Sequence, residues 1–391
     1  MTARARRLVR LRKAGVAMDL FAAIKGSPLL RPNAIPVSKN IGVVCLPSAF
    51  SSIPEVLLAG AKAVFVVGAG CAQCDEMGRA LAEERGKNIP VFQMEKIVQR
   101  IDLDVVFYHH AFEYGPLCSC WWYLRNVGYD SFYTFMPVPY NAGITTTHIP
   151  GYYSSNKESL ERVFAMLADA ESRAVFAARV RAVESGNIGF IKVSAYEEYF
   201  HPLVRPECDD TIMDGGVSEN VLSQLAFIKA VGPGGRIFGF EPDPVGFCAA
   251  CERIKAQAIY DVYKVIPFGM WHKRDTVFFE ISGQGTHVTS DASDNAVACE
   301  CISIDEIVAA NRIGKVDFIK MDVEGSEINA LKGSLRTLTE HRPKLAISIY
   351  HQPQDLYFIP LFLQNVCHDY EFYIGHHHAS LHETVLYCRP R

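Results

Sequence analysis

The chain has 391 residues, 49% of them apolar and 21% charged, proportions of a globular protein that exclude disorder as its dominant state. Its 39 basic and 43 acidic side chains leave a formal charge of -4, so no global field gathers phosphates and no nucleic-acid partner is expected. The length predicts two or three domains rather than one.

Arg4, Arg6, Arg7, Arg10, Arg12 and Lys13 open the chain without an acid, and Asp19 interrupts the apolar stretch that follows. Residues 1–40 are therefore read as a basic amphipathic helix and a loop, not a signal peptide. The most apolar stretch, Val56 to Ala72, is broken by Lys62 and three glycines and falls short of a membrane span. No transmembrane segment and a cytoplasmic location are expected. Twelve cysteines in this length are too sparse for a disulfide scaffold and read as reduced thiols. A zinc site would need Cys71, Cys74, Cys118 and Cys120 to meet from two loops. Cys248/Cys251, in a helical pattern, and Cys299/Cys301, in a strand pattern, resemble small buried side chains on one face, and no metal site is assigned.

Residues 41–155 alternate strand and helix: Ile41 to Leu46, Lys62 to Gly70, a helix from Cys74 to Arg85, a strand at Pro90 to Phe92, another helix, and Asp104 to Tyr108. This spacing predicts a smaller Rossmann-like α/β domain with a parallel sheet. Val67-Gly-Ala-Gly-Cys-Ala-Gln-Cys74 supplies only two of the three glycines of a dinucleotide fingerprint. Tyr108-His-His110 and Trp121-Trp-Tyr123 fit an accessory domain for acceptor recognition or interaction, with core packing as the rival reading of the tryptophans. Residues 156–200 read as a helical connector, with Leu160, Val163, Phe164, Leu167, Phe176 and Val180 at helical spacing.

Residues 201–391 carry the chemistry. Thr211-Ile-Met-Asp-Gly-Gly216 is a strand ending in an acid and two glycines, before a helix from Asn220 to Ala230. Gly215 and Gly216 let the backbone approach a ligand and expose amides at the helix start. The next strand, Arg236 to Phe240, ends at Glu241-Pro-Asp243, and an acid there is the expected partner of ribose hydroxyls. A NAD-binding unit would share both features. Asp317 to Glu327 is a further strand whose mouth carries Lys320, Asp322 and Glu324, facing the crevice of Asp214 and Glu241; a structural ion-pair network is the alternative.

Met213-Asp-Gly-Gly216, Phe240-Glu-Pro-Asp243, Phe318-Ile-Lys-Met-Asp-Val-Glu-Gly-Ser-Glu327 and Pro343-Lys-Leu-Ala-Ile-Ser-Ile-Tyr-His351 closely resemble the FkbM-type S-adenosylmethionine-dependent methyltransferases. The resemblance implies a class I methyltransferase sheet of seven strands, the last antiparallel. It also implies O-methylation of a sugar, glycan or natural-product hydroxyl, with S-adenosylmethionine as cofactor. Asn220 stands where the family usually has a further glycine. Carried over, Asp214, Gly215, Gly216 and Asn220 line the methionine and ribose end of the cofactor, Glu241 accepts from the ribose, and Asp243 is a weaker candidate for that edge. Met270 and Trp271, in Phe268-Gly-Met-Trp271 at the end of the third strand, lie where the family places adenine; Trp271 reads equally as core.

The methyl transfer needs a base near the methyl group. Asp322 and His351 are the candidates, with Lys320 and Glu324 orienting them or binding the acceptor. Asp322 and Glu324 holding magnesium is the minority reading. His376-His-His378 cannot all ligate one ion, because consecutive strand residues face opposite ways. The partner is a small-molecule or glycan acceptor, and a homo-oligomer is left open. A non-catalytic binding or assembly protein on the same fold is the alternative.

Overall fold

The computed structural model of the protein describes residues 40–391 except 54, 100–102, 104, 110–131, 136–152, 186–189, 218–220, 283–284, 290–295 and 379–380. The expected basic helix, His110, the Trp121 to Tyr123 cluster, Cys118, Cys120 and Asn220 lie outside the described residues.

Five strands form a wholly parallel sheet: β1 (Ile41–Cys45), β2 (Ala61–Val66), β3 (Val91–Gln93), β4 (Val105–His109) and β5 (Phe132–Phe135), in the order β3-β2-β1-β4-β5. β1 is buried along its whole length, as its unbroken apolar run requires of a strand covered on both faces. A short helix, α1 (Glu55–Gly60), and α2 (Cys71–Arg85) alternate with these strands. Cys71 and Cys74 sit on α2 rather than in a loop, and the Cys71 thiol donates to Gln93 Oε1. The helix expected after β3 is a 3₁₀ turn, Met94–Gln99.

The expected connector forms two helices, α3 (Lys157–Met166) and α4 (Ala170–Ser185). They pack onto the C-terminal half of the chain. Leu160, Val163, Phe164, Phe176 and Val180 are all buried, and the Ala168 amide donates to the Phe372 carbonyl. Buried Arg179 donates to the Leu381 carbonyl and to Thr384 Oγ1. One apolar cluster runs from Val44 and Phe65 of the first sheet through Val163 and Phe176 to Met321 and Leu345.

The second large sheet has seven strands: β6 (Thr211–Gly215), β7 (Arg236–Phe240), β8 (Tyr263–Ile266), β13 (Phe318–Met321), β14 (Lys344–Ser348), β15 (Tyr370–His376) and β16 (Thr384–Pro390), in the order β15-β16-β14-β13-β6-β7-β8. Only β16 runs antiparallel to its neighbours. The helices between them are α5 (Leu222–Val231), α6 (Pro244–Gln257), α7 (Ile304–Ala310), α8 (Glu327–Lys332), α9 (Leu335–Glu340) and α10 (Asp355–Val366). From β6 the chain first builds outward through β7 and β8, then returns to add β13 on the other side. The strand order therefore reverses between β6 and β13, and a crevice opens at their carboxyl ends.

A four-stranded sheet interrupts this alternation: β9 (Gly269–Met270), β10 (Asp275–Ser282), β11 (Gly285–Thr289) and β12 (Ala296–Ile302), in the order β11-β10-β12-β9. It corrects the reading of Phe268 to Trp271 as the end of the third strand. β8 stops at Ile266, and Gly269 and Met270 pair instead with Cys301 and Ile302. Cys299 and Cys301 are buried as expected of one strand face, whereas Cys248 on α6 is exposed. No helix among the described residues is long and apolar enough to cross a membrane.

Candidate functional site

The β6–β13 register sets Lys320 beside Asp214 and Met321 beside Gly215. Lys320, 2% exposed, donates from Nζ to the carbonyls of Gly215 (2.8 Å) and Gly216 (2.6 Å) and lies 3.3 Å from Asp214 Oδ1. Burial works against its charge, but the Asp214 and Asp322 carboxylates outweigh it and hold the ammonium above its ordinary value. Lys320 is thus a strut under the glycine turn, which corrects its reading as an acceptor-binding group. Asp214 is corrected with it. Fully buried, it accepts from Tyr263 Oη (2.5 Å) and Gln224 Nε2 (3.1 Å), and offers no side-chain oxygen to a cofactor.

Gly215 ends β6 and Gly216 follows it. A Cβ on Gly215 would lie 2.6 Å from Met270 Sδ, and one on Gly216, at φ +81°, 1.9 Å from the Asp322 carbonyl oxygen. The Gly216 amide donates to the Phe240 carbonyl and the Asp322 amide to that of Gly215. One glycine turn therefore joins the ends of three strands. Met270, 2% exposed, packs under that turn and presents no face to an adenine. Trp271 packs on the apolar cluster of Val277, Cys299 and Cys301, so the core reading holds for it.

Glu241 follows β7, and its Oε1 accepts from the Asp243 amide at 2.9 Å; Oε2 makes no hydrogen bond among the described residues. Burial pushes its carboxyl up to about 7, against the pull of that amide. Asp243 caps α6, its Oδ2 accepting from the Gly246 amide at 2.7 Å. That cap engages one of the two Asp243 carboxylate oxygens.

Across the turn, Asp322 Oδ2 accepts from Tyr199 Oη (2.9 Å) and Oδ1 from Tyr350 Oη (3.0 Å). Burial opposes its ionisation, but Lys320, His351 and the Tyr199 hydroxyl outweigh that and hold the carboxyl below its ordinary range. His351 is enclosed by carboxylates. Its Nδ1 lies 3.0 Å from Glu327 Oε1, and its Nε2 lies 3.4 Å from both Asp322 Oδ1 and Glu324 Oε2. These are ion-pair distances without aligned hydrogen bonds. Burial works against the imidazolium, yet Glu327, Glu324 and Asp322 raise its pKa well above the ordinary value. That direction weighs against His351 as the proton acceptor, the role the sequence offered it beside Asp322.

Glu324 takes a left-handed backbone, φ +54°. Its carboxyl is pushed up to about 7 by burial and by Asp322 and Glu327, with His351 opposing. Half of its side chain surface is exposed, and the solvent there screens part of that shift. Glu198 and Glu383 lie beside this group, and burial raises both, Glu383 to about 10. His376 and His377 are engaged by Thr384 and Tyr387 rather than by each other.

Sequence reading left four of these neighbours without a role. Glu327 stands inside the quoted motif, and its Oε1 accepts from the Val323 amide four residues earlier. Tyr199 and Glu198 lie in the stretch read as a connector, and Glu383 in the β15–β16 turn. Among the described residues, Asp322, Glu327 and His351 form one set with metal-ligand spacing, a ligand atom of each lying within 4.8 Å of the others.

Residues 214–379 match the Methyltransferase FkbM domain. A stretch of 141 residues is 30% identical to the hexuronic acid methyltransferase AglP of Haloferax volcanii, covering 35% of this chain and 54% of that protein. The chain thus spans about half the length of that curated relative. The crystal structure of Methyltransferase FkbM from Methylobacillus flagellatus KT superposes with a TM-score of 0.63 over 95% of this chain and 99% of its own, at 19% identity. At that identity the likeness is one of fold.

Proposed function

Residues 214–379 match the FkbM methyltransferase domain, and from that match we propose that the protein is an S-adenosylmethionine-dependent O-methyltransferase acting on a hydroxyl of a sugar, glycan or natural product. The observation that carries this reading is the glycine turn at β6, set between the Glu241 carboxyl and the Asp322 carboxylate. The hexuronic acid in the name of AglP favours a sugar among the acceptors.

The residues fit the cofactor. Gly215 and Gly216 let the turn pack directly on Met270 and on the Asp322 carbonyl, where no Cβ fits, and Glu241 Oε2 is free to accept from a ribose hydroxyl. When bound, S-adenosylmethionine supplies a methyl group on a sulfonium. Lys320 holds the turn rigid beneath it. Asp322, fixed by two tyrosine hydroxyls, orients the acceptor hydroxyl, and Glu324, reaching solvent beside it with a carboxyl raised by burial, takes its proton. His351 lies between Asp322, Glu324 and Glu327 and ties the three carboxyls together. The five-stranded sheet, tied to this sheet by one apolar cluster, serves as an accessory unit for acceptor recognition or interaction.

Titration calorimetry with S-adenosylhomocysteine, paired with labelled methyl transfer to a panel of glycans and small hydroxylated acceptors, tests the reading. Binding and transfer are expected, with Asp322→Asn lowering turnover about 100-fold or more at retained cofactor affinity. Absence of binding at high micromolar ligand overturns the cofactor assignment, and robust transfer removes the non-catalytic alternative.

A further inference from the structure

We propose that Asp322, Glu327 and His351 bind one divalent first-row cation of the Mn²⁺ type at the mouth of the seven-stranded sheet. Their ligand atoms are already gathered within 4.8 Å of one another, and two further observations point to a ligand rather than to acidity alone. First, both ring nitrogens of His351 and Oε2 of Glu327 are buried without a hydrogen-bond partner, in residues 3% and 1% exposed. The ring nitrogens face carboxylates only at 3.0 to 3.4 Å, and the Glu327 oxygen, left without a partner, costs about 1 to 3 kcal/mol. Ligation by one ring nitrogen and the free Glu327 oxygen answers two of the three.

Second, the spacing on the Nε2 side of the ring suits a shared ion, which Glu327 approaches from the Nδ1 side. His351 Nε2 stands 3.4 Å from Asp322 Oδ1 and from Glu324 Oε2, too long for a good hydrogen bond. Two ligands on one cation, each at about 2.1 Å, lie about 3.0 to 3.4 Å apart. Glu324, reaching solvent at the rim, is placed to add a further oxygen. The Tyr199 and Tyr350 hydroxyls fix Asp322 from behind, as outer hydrogen bonds orient a metal ligand. One imidazole with two or three carboxylates selects manganese or zinc over calcium.

The test uses chelator-stripped, full-length protein titrated with MnCl₂, the paramagnetic resonance signal of free Mn²⁺ reporting the unbound fraction. One ion per chain is expected. Glu327→Gln, which retains an acceptor for the Val323 amide, and Asp322→Asn should each weaken binding about 10- to 100-fold. No single site below about 1 mM, or unchanged affinity in both variants, overturns the proposal. If Glu327→Gln does not fold, Asp322→Asn decides alone, since that side chain already reaches solvent. S-adenosylhomocysteine calorimetry on the same stripped protein keeps the two readings apart. Cofactor analogue bound without Mn²⁺ overturns only the metal site; Mn²⁺ bound without the analogue overturns only the methyltransferase reading.

Discussion

A Cβ added at Gly68 or Gly70, in the turn after β2, meets no atom within 4 Å, whereas one added at Gly216, in the turn after β6, falls 1.9 Å from the Asp322 carbonyl oxygen. Both turns leave a buried strand of a parallel sheet and lead toward a helix, and both are rich in glycine. Only the second is pressed from below by a buried lysine and from the side by a neighbouring strand end. A glycine-rich turn is thus compatible with mere chain reversal. What marks a site is the convergence of backbone contact and buried charge upon it.

Removing the strut should break the contrast most severely. Lys320→Met leaves the Asp214 carboxylate buried without its cation, at a cost of about 3 to 5 kcal/mol, read as the loss of denaturation midpoint at an unchanged slope. The glycines come next. Gly216→Ala should abolish measurable S-adenosylhomocysteine binding, because the backbone carbonyl it strikes belongs to a packed strand end. Gly70→Ala, at an ordinary φ of -78°, should leave affinity unchanged and stability within about 0.5 kcal/mol. Equal effects in calorimetry and melting would erase the distinction between the turns.

Smaller effects sharpen it further. Glu241→Ala should weaken the cofactor analogue by about 1 to 3 kcal/mol through unpaired ribose hydroxyls, and unchanged affinity would remove Glu241 from the site. The same carboxyl sets a pH signature. Its folded pKa of about 7 lies above the unfolded value of 4.5, so the folded state binds more protons between them. Its contribution to stability is fully present below 4.5 and lost as pH rises through about 7. Melting temperature should fall from about pH 5 to pH 8, and Glu241→Gln should flatten that part of the decline. Glu383, raised to about 10, continues it at higher pH.

The strand and helix alternation of both sheets was legible because it is written in local periodicity, and the strand-end positions of Gly215, Gly216, Glu241 and Asp322 followed from it. The engagement of Asp214 was not, because Tyr263 and Gln224 reach it from other elements. Neither was Tyr199, which donates to Asp322 across 123 positions of the chain from the stretch read as a helical connector. The carboxylate surroundings of His351 were out of sight for the same reason. A histidine after a strand is a plausible base until Glu327, Glu324 and Asp322 are seen around it. The four-stranded insertion hid the end of β8, since Phe268 to Trp271 has strand composition wherever it pairs.

Glu324 holds a left-handed backbone that costs a non-glycine residue about 1 kcal/mol, and glycine or asparagine would bear that turn more easily. Selection for heat tolerance alone should therefore favour Glu324→Gly and Glu324→Asn, and selection for turnover should reject them. Sequencing the survivors of two such screens would show whether the strain persists because the carboxyl at that corner is needed for turnover.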